Sequence, residues 1–170
     1  MPLFPQLDEN ALFLSRTDVD EPLSSYSEFS FFLDDKDWPS VAHYFHAMKF
    51  EDAFYQEKIR LASHPKKAKK LGRSRLKKIR KDWHEVRATV MTRALYIRCR
   101  EHAHIAELLL DTGERAIIEN NAYDYFWGCG RDRRGENTYG KLLMNVRQKL
   151  REEAKSAAEQ VNHDGGKTSA

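Results

Sequence analysis

Cysteine is scarce: Cys99 and Cys129 are the only two, so neither a disulfide framework nor a paired-cysteine zinc site can be built, and free thiols are expected. Long apolar runs are missing as well. No stretch approaches the roughly 20 residues of a membrane span, and Met1 to Asn10 carries acids where a secretory leader has positive charge. A cytoplasmic protein with no membrane contact is expected. At 170 residues and 41% hydrophobic the chain supplies one core and is too short for two domains. A monomer is expected, with an N-terminal extension over residues 1–10, the domain over 11–153, and a helix end and disordered tail over 154–170.

Acidic residues are absent from one long stretch. Lys66 to Lys81 holds ten Lys or Arg and no Asp or Glu, which leaves 29 − 10 = 19 basic against 26 acidic residues elsewhere. A block of like charge is either a solvated helix face or an anion site that attracts phosphate, on a nucleotide or along a nucleic acid backbone, and weakens with salt. Composition does not choose between these.

Short aromatic runs at residues 11–15 and 28–33, bounded by Asp, Pro and Ser, read as strands. Trp38-Pro39-Ser40 reads as a helix start, with Ser40 as cap to a helix over about 40–50. A second helix follows from Asp52 to Ser63, ended by His64-Pro65. Trp83, Val86, Val90, Ala94 and Ile97 recur at helical spacing and define a central helix from Asp82 to about Arg100. A short helix over 102–111 closes at Gly113, and Ile117-Ile118 suits a strand. Tyr123 to Gly140 has four glycines and reads as a structured loop. Leu142, Leu143, Val146 and Leu150 then mark a helix whose pattern fades beyond Glu153. The expected class is α+β: one predominantly helical domain with a few short strands.

Three blocks resemble the NADAR family. They are Tyr26-Ser27-Glu28-Phe29-Ser30-Phe31-Phe32 with Trp38-Pro39-Ser40-Val41-Ala42-His43-Tyr44-Phe45-His46-Ala47-Met48-Lys49-Phe50; Gly72-Arg73 with Trp83 and Val90-Met91-Thr92-Arg93-Ala94-Leu95; and Ile118-Glu119, Asp124, Phe126-Trp127-Gly128-Cys129-Gly130 with Gly135-Glu136-Asn137-Thr138-Tyr139-Gly140-Lys141-Leu142-Leu143-Met144. The resemblance implies an enzyme that hydrolyses N-glycosidic bonds of ribose, without metal or redox cofactor. Substrates ascribed to the family are phosphorylated ribosylamino-pyrimidine intermediates of riboflavin biosynthesis and ADP-ribose attached to guanine in nucleic acid. The implied partners are therefore an ADP-ribose or ribosyl-phosphate ligand and ADP-ribosylated DNA.

By the same resemblance the catalytic positions are Ala42, Trp83, Asp124 and Trp127, and the substrate-binding positions are Phe29, Ser30, Trp38, His43, Phe45, Gly72, Arg73, Gly128, Gly130 and Asn137. Two residues depart from the family pattern: Phe31 stands where it has Asn, and Ala42 where it has its functional Glu. Alanine can neither activate water nor protonate a leaving base. Three readings of Ala42 stand: a replacement that lets bound substrate or product survive, a binding module without turnover, or another carboxylate such as Glu28, Asp37 or Asp124 taking over.

Read as residues alone, Trp83 fits a core position on its helix, whereas Trp127 sits among small neighbours that let a base stack on its indole. Asp124 fits either a turn or a ribose-orienting carboxylate. The glycine loop and the helix start near Thr138 could present amides to phosphate, and the forked Arg73 guanidinium suits paired phosphate oxygens. His43-x-x-His46 and His102-x-His104 lack the pattern of a metal site.

Overall fold

The computed structural model describes residues 9–165; residues 1–8 of the expected extension and 166–170 of the expected tail lie outside them. Six helices surround two small sheets, in the order β1 (Leu12–Leu14), β2 (Phe31–Leu33), β3 (Lys36–Trp38), α1 (Val41–Ala47), α2 (Ala53–Arg60), α3 (Pro65–Gly72), α4 (Trp83–Glu101), α5 (Ala103–Asp111), β4 (Ile117–Glu119) and α6 (Thr138–Asp164). The predominantly helical α+β class is what the structure has.

Helix α1 is the core element. Ser40 caps it, its hydroxyl accepting from the His43 amide, and all seven helical residues are buried. It packs against α2, α3 and α4. Its end falls at Ala47 rather than near residue 50, because Phe50 leaves the helix to pair with Ile79 in an antiparallel bridge and the Arg80 amide donates to the Lys49 carbonyl. That contact draws the basic segment onto the end of α1.

Three further elements differ from the expectations. Residues 28–33 form a strand only from Phe31, and that strand turns back through Asp34 and Asp35, both at positive φ, into β3. A two-residue loop with both central residues left-handed is the favoured hairpin geometry, so Trp38 closes a strand before the helix starts. His64-Pro65 starts a helix as well as ending one: Pro65 occupies the first turn, where its missing N–H costs nothing, and the His64 ring accepts from the Lys66 amide. Half of the basic segment is therefore helix α3. Helix α6 runs on to Asp164, exposed at every residue after Glu153, where a helix end was expected soon after Glu153.

Strands β1 and β4 are parallel, Leu12 opposite Ile117 and Leu14 opposite Glu119. This pairing sets the loops after both strands side by side. Helix α6 then packs on β4 so closely that a Cβ on Gly140 would lie 2.0 Å from the Ile117 carbonyl oxygen and 2.5 Å from the Asn137 side-chain Nδ2. Gly140→Ala should therefore cost about 3 kcal/mol and lower the melting temperature by roughly 6–12 °C in a thermal scan; an unchanged midpoint would contradict this packing.

Candidate functional site

The loop after β4 is shaped by Asp124. Its Oδ1 accepts the Phe126 and Trp127 amides at 3.0 and 2.8 Å, and its Oδ2 accepts from Arg16 Nη2 at 2.8 Å across 108 residues of sequence. Burial opposes its charge, but the Trp127 amide and Arg16 outweigh that and hold the carboxyl below its usual range. The amides of Cys129, Gly130, Gly135, Glu136, Asn137, Thr138 and Tyr139 are all donated to carbonyls of residues 119–129. The glycine loop thus has no spare amides at these positions.

Fixed in this way, Trp127 stands edge-on to Phe45 at 5.4 Å, and Phe45 lies 5.0 Å from the Trp83 ring. The three rings form the apolar side of a cavity of about 430 Å³. Asp124, Asn121 and Tyr123 close the loop side, and Arg16, Lys49, Lys69, Arg73 and Arg87 surround it with positive charge. Arg16 reaches to within 5.7 Å of the Trp127 ring centre, and Arg87 lies 3.5 Å over Phe126. Five cations thus face one carboxylate, which is itself tied to Arg16.

Polar groups on this wall are short of partners. Arg16 Nε, Arg87 Nε and His46 Nδ1 are buried without a hydrogen bond among the described residues, a costly state unless a ligand or water completes it. Burial foremost, then Lys49, Arg16 and Lys69, drives the His46 pKa well below its ordinary value, so the imidazole is neutral at physiological pH. Burial and the Arg73 charge also lower Lys49, and burial with Arg16 and Arg73 lowers Lys69.

Five of the residues expected at the site line this cavity: Phe45, Arg73, Trp83, Asp124 and Trp127. Ala42 is buried one helical turn before Phe45 and His46, and its amide donates to the Ser25 carbonyl at 2.9 Å. Gly72 sits behind the cavity wall, where any Cβ would strike the His46 ring at 2.5 Å. Gly128 backs onto the Glu119 carboxyl, and Gly130, at φ +69°, onto Tyr125. Asn137 is left-handed, and its side chain links the Glu119 amide to the Ile117 carbonyl. The rest lie apart from the cavity: Phe29 packs on His102 and His104, Ser30 accepts from His102, Trp38 donates to Leu33, and His43 bonds Ser40 and Ala62. No cluster of three or more His, Cys, Asp or Glu side chains is placed to hold a metal ion among the described residues.

Sequence reasoning overlooked Arg16, His46, Lys49, Lys69, Arg87 and Glu119 at this site. His46 and Lys49 had a readable signal, standing four and seven residues after Ala42 on one helical stripe. Arg16 had none, since its partner lies 108 residues away.

The residues lining this space make an aromatic cavity ringed by cations and backed by one constrained carboxylate. The chain belongs to the NADAR family, whose domain matches residues 10–151. It is 38% identical over 138 residues to N-glycosidase YbiA of Escherichia coli, covering 81% of this chain and 86% of that one. An N-glycosidase of Nostoc punctiforme is 38% identical over 137 residues, covering 77% and 88%. A chloroplastic riboflavin biosynthesis protein of Zea mays is 31% identical over 153 residues, covering 81% of this chain and 25% of that one. The NMR structure of the Escherichia coli protein YbiA superposes with a TM-score of 0.77 at 36% identity, covering 91% of this chain and 95% of that one.

Glu119, beneath the loop, gives a pH test. Burial foremost raises its pKa despite the Arg16 amide and charge, and its Oε2 has no hydrogen bond among the described residues. A raised acid stabilises the fold while protonated, an effect lost as pH rises from the unfolded pKa through the folded one. Wild type should lose stability to urea from about pH 4.5 upward on this account, and Glu119→Gln should flatten that slope. An identical pH profile in the variant would contradict the raised pKa.

Proposed function

We propose that the protein is an N-glycosidase that hydrolyses the N-ribosyl bond of an ADP-ribosylated nucleobase, guanine in DNA, with no metal or redox cofactor. The observation that carries this reading is the five-to-one excess of cations over carboxylate around the aromatic cavity. A diphosphate bridge supplies the negative charge that such a ring of Lys and Arg lacks, and a purine or ribose face suits Trp127, Phe45 and Trp83.

Hydrolysis breaks the bond between the anomeric carbon and the base nitrogen. The electron pair stays on the nitrogen, which takes a proton, and the oxygen of water bonds to carbon. Positive charge develops on the ribose as the bond breaks, and an anionic carboxylate beside it lowers the barrier. In this assignment Asp124 fills that role. Three of the four acceptor positions on its carboxylate are occupied by Phe126, Trp127 and Arg16, which leaves one for a ribose hydroxyl or the attacking water. Trp127 and Trp83 hold the ring in place, and Arg73, Lys49 and Lys69 hold phosphate. Ala42 lacks the family's glutamate, so turnover by that route is slower by roughly 10²- to 10⁴-fold, the usual worth of a general acid or base.

Two observations favour other readings. The name of the Zea mays relative favours phosphorylated ribosylamino-pyrimidine intermediates of riboflavin biosynthesis as substrate. Ala42 favours a reader that binds ADP-ribose without cleaving it. The test is Ala42→Glu, assayed beside the unaltered protein for release of free ADP-ribose from an ADP-ribosyl-guanine oligonucleotide, with ribosylamino-pyrimidine phosphates in parallel. A gain of about 100-fold or more on the oligonucleotide is expected. Turnover confined to the pyrimidine substrates would move the assignment to riboflavin intermediates, and tight binding with no turnover in either form would leave a reader.

A further inference from the structure

One buried polar side chain on the cavity wall neither binds phosphate nor faces the ribose in this assignment. His46 lines the cavity beside Phe45, the two ring centres 5.2 Å apart. It is 7% exposed, and no described residue hydrogen-bonds to either ring nitrogen. The two nitrogens have different surroundings. Nδ1 is buried and turned to the end of α3, where a Cβ on Gly72 would lie 2.5 Å from it. Nε2, on the other edge of the ring, is left to face the cavity. A buried N–H without an acceptor is costlier than a nitrogen with a vacant lone pair, so the imidazole carries its proton on Nε2. Burial keeps the ring neutral, helped by the groups around it: Lys49 just after α1, Arg16 after β1, Lys69 on α3, and His43 one turn back on α1. Arg73 and Arg87 add to them, and Asp124 is the one carboxylate among the residues lining the cavity.

We infer that His46 is the catalytic residue on the base side of the bond: its Nε2–H donates a hydrogen bond to the base and holds the negative charge that gathers there as the base departs. The inference rests on the proposed reading that base and ribose occupy this cavity. As the bond between the anomeric carbon and the base nitrogen breaks, its electron pair goes to the base. The water oxygen bonds to the carbon, and the proton that water gives up ends on the base nitrogen. His46 keeps its own proton throughout. A fixed donor aimed at developing charge in a recess screened from water acts far more strongly than the same donor in water, and a neutral imidazole can serve as that donor. Phosphate is not its target, because five Lys and Arg side chains already line the cavity and charged donors hold phosphate better than a neutral one. One turn earlier on the same face of α1 stands Ala42, which has no polar group to offer. Asp124 then meets the ribose from the loop side, and His46 meets the base from α1.

The test uses the full chain, unaltered and as Ala42→Glu. Nitrogen-15 NMR of the histidine rings reads the tautomer and the contact, and kcat and KM on an ADP-ribosyl-guanine oligonucleotide read the chemistry. For the spectra the conjugate carries a methylene in place of the ribose ring oxygen, so that it binds without being cleaved. His46 should show a protonated Nε2 and a bare Nδ1 from about pH 8 down through about pH 6.5, where an ordinary histidine is half protonated. The Nε2 signal should move when the conjugate binds and stay nearly in place with ribose 5-phosphate, which has phosphate and no base. His46→Gln puts an amide N–H about where Nε2 stands and should keep kcat within about threefold of its parent. His46→Asn reaches only the Nδ1 position, and His46→Leu donates nothing. Both should lower kcat by about 100-fold with KM within about threefold, the usual worth of one donor to developing charge. A ring needed for packing alone would not separate Gln from Asn in this way. A proton on Nδ1 overturns the inference, as does an equal shift with ribose 5-phosphate, or a kcat that falls alike in Gln and Asn or in neither Asn nor Leu. Its failure is separable from that of the glycosidase reading. Turnover with Nε2 unmoved by the conjugate leaves the hydrolase standing without His46, and a base-dependent Nε2 shift with no turnover in either parent leaves the bond to the base standing without the hydrolase.

Discussion

The site hangs on one ion pair. Arg16 and Asp124 meet at 2.8 Å, and each is bonded on its other side to a different part of the molecule. Asp124 holds the amides of Phe126 and Trp127, and so sets the indole. The Arg16 carbonyl accepts both the amide and the hydroxyl of Ser25, and the Ser25 carbonyl in turn accepts the amide of Ala42 at the start of α1. The relay therefore fixes the Trp127 loop against α1, which carries Phe45 and His46 and ends just before Lys49. The parallel pairing of β1 with β4 makes this possible, because it brings the two loop starts to the same end of the sheet. Breaking this part-buried pair leaves a charge without its partner, the more costly outcome the further the ions are withdrawn from water.

The same region pays in electrostatics for what it can bind. Lys49, Lys69, Arg73, Arg16 and Arg87 crowd one cavity with one carboxylate among them, and like charges this close raise each other's energy. Burial first, and this crowding second, holds the pKa values of His46, Lys49 and Lys69 below their ordinary range. In the proposed reading a phosphorylated ligand would relieve that repulsion on arrival. This is also why a basic segment that reads as a solvated helix face has a second use: α3 turns Lys69 inward while Lys66, Lys67 and Lys70 remain in water.

Much of the fold was legible because its helices are long or well capped. The stripe through Trp83, Val90 and Ala94 located α4, Ser40 located α1, and Gly113, at φ +60°, ended the segment after α5. The two-residue hairpin escaped notice since Asp34-Asp35 lacks the glycine that usually marks such a turn. The far end of α6 escaped because nothing packs on it, so its helicity leaves no apolar trace. At the site, the aromatic residues and Asp124 could be found by resemblance, whereas Arg16 is brought in by tertiary pairing alone. Where local pattern misled, as in the glycine loop, the loop's own hydrogen bonds had already claimed the amides that seemed free for phosphate.

The central claim is that one cavity, between the Trp127 loop and α1, takes a phosphorylated ribosyl ligand. A crystal structure with ADP-ribose tests it most directly. The account predicts the ring system against Trp127, Phe45 and Trp83, with the phosphates within hydrogen-bonding distance of Arg73 and of Lys49 or Lys69. ADP-ribose bound elsewhere, or bound with its phosphates turned away from those cations, would contradict it.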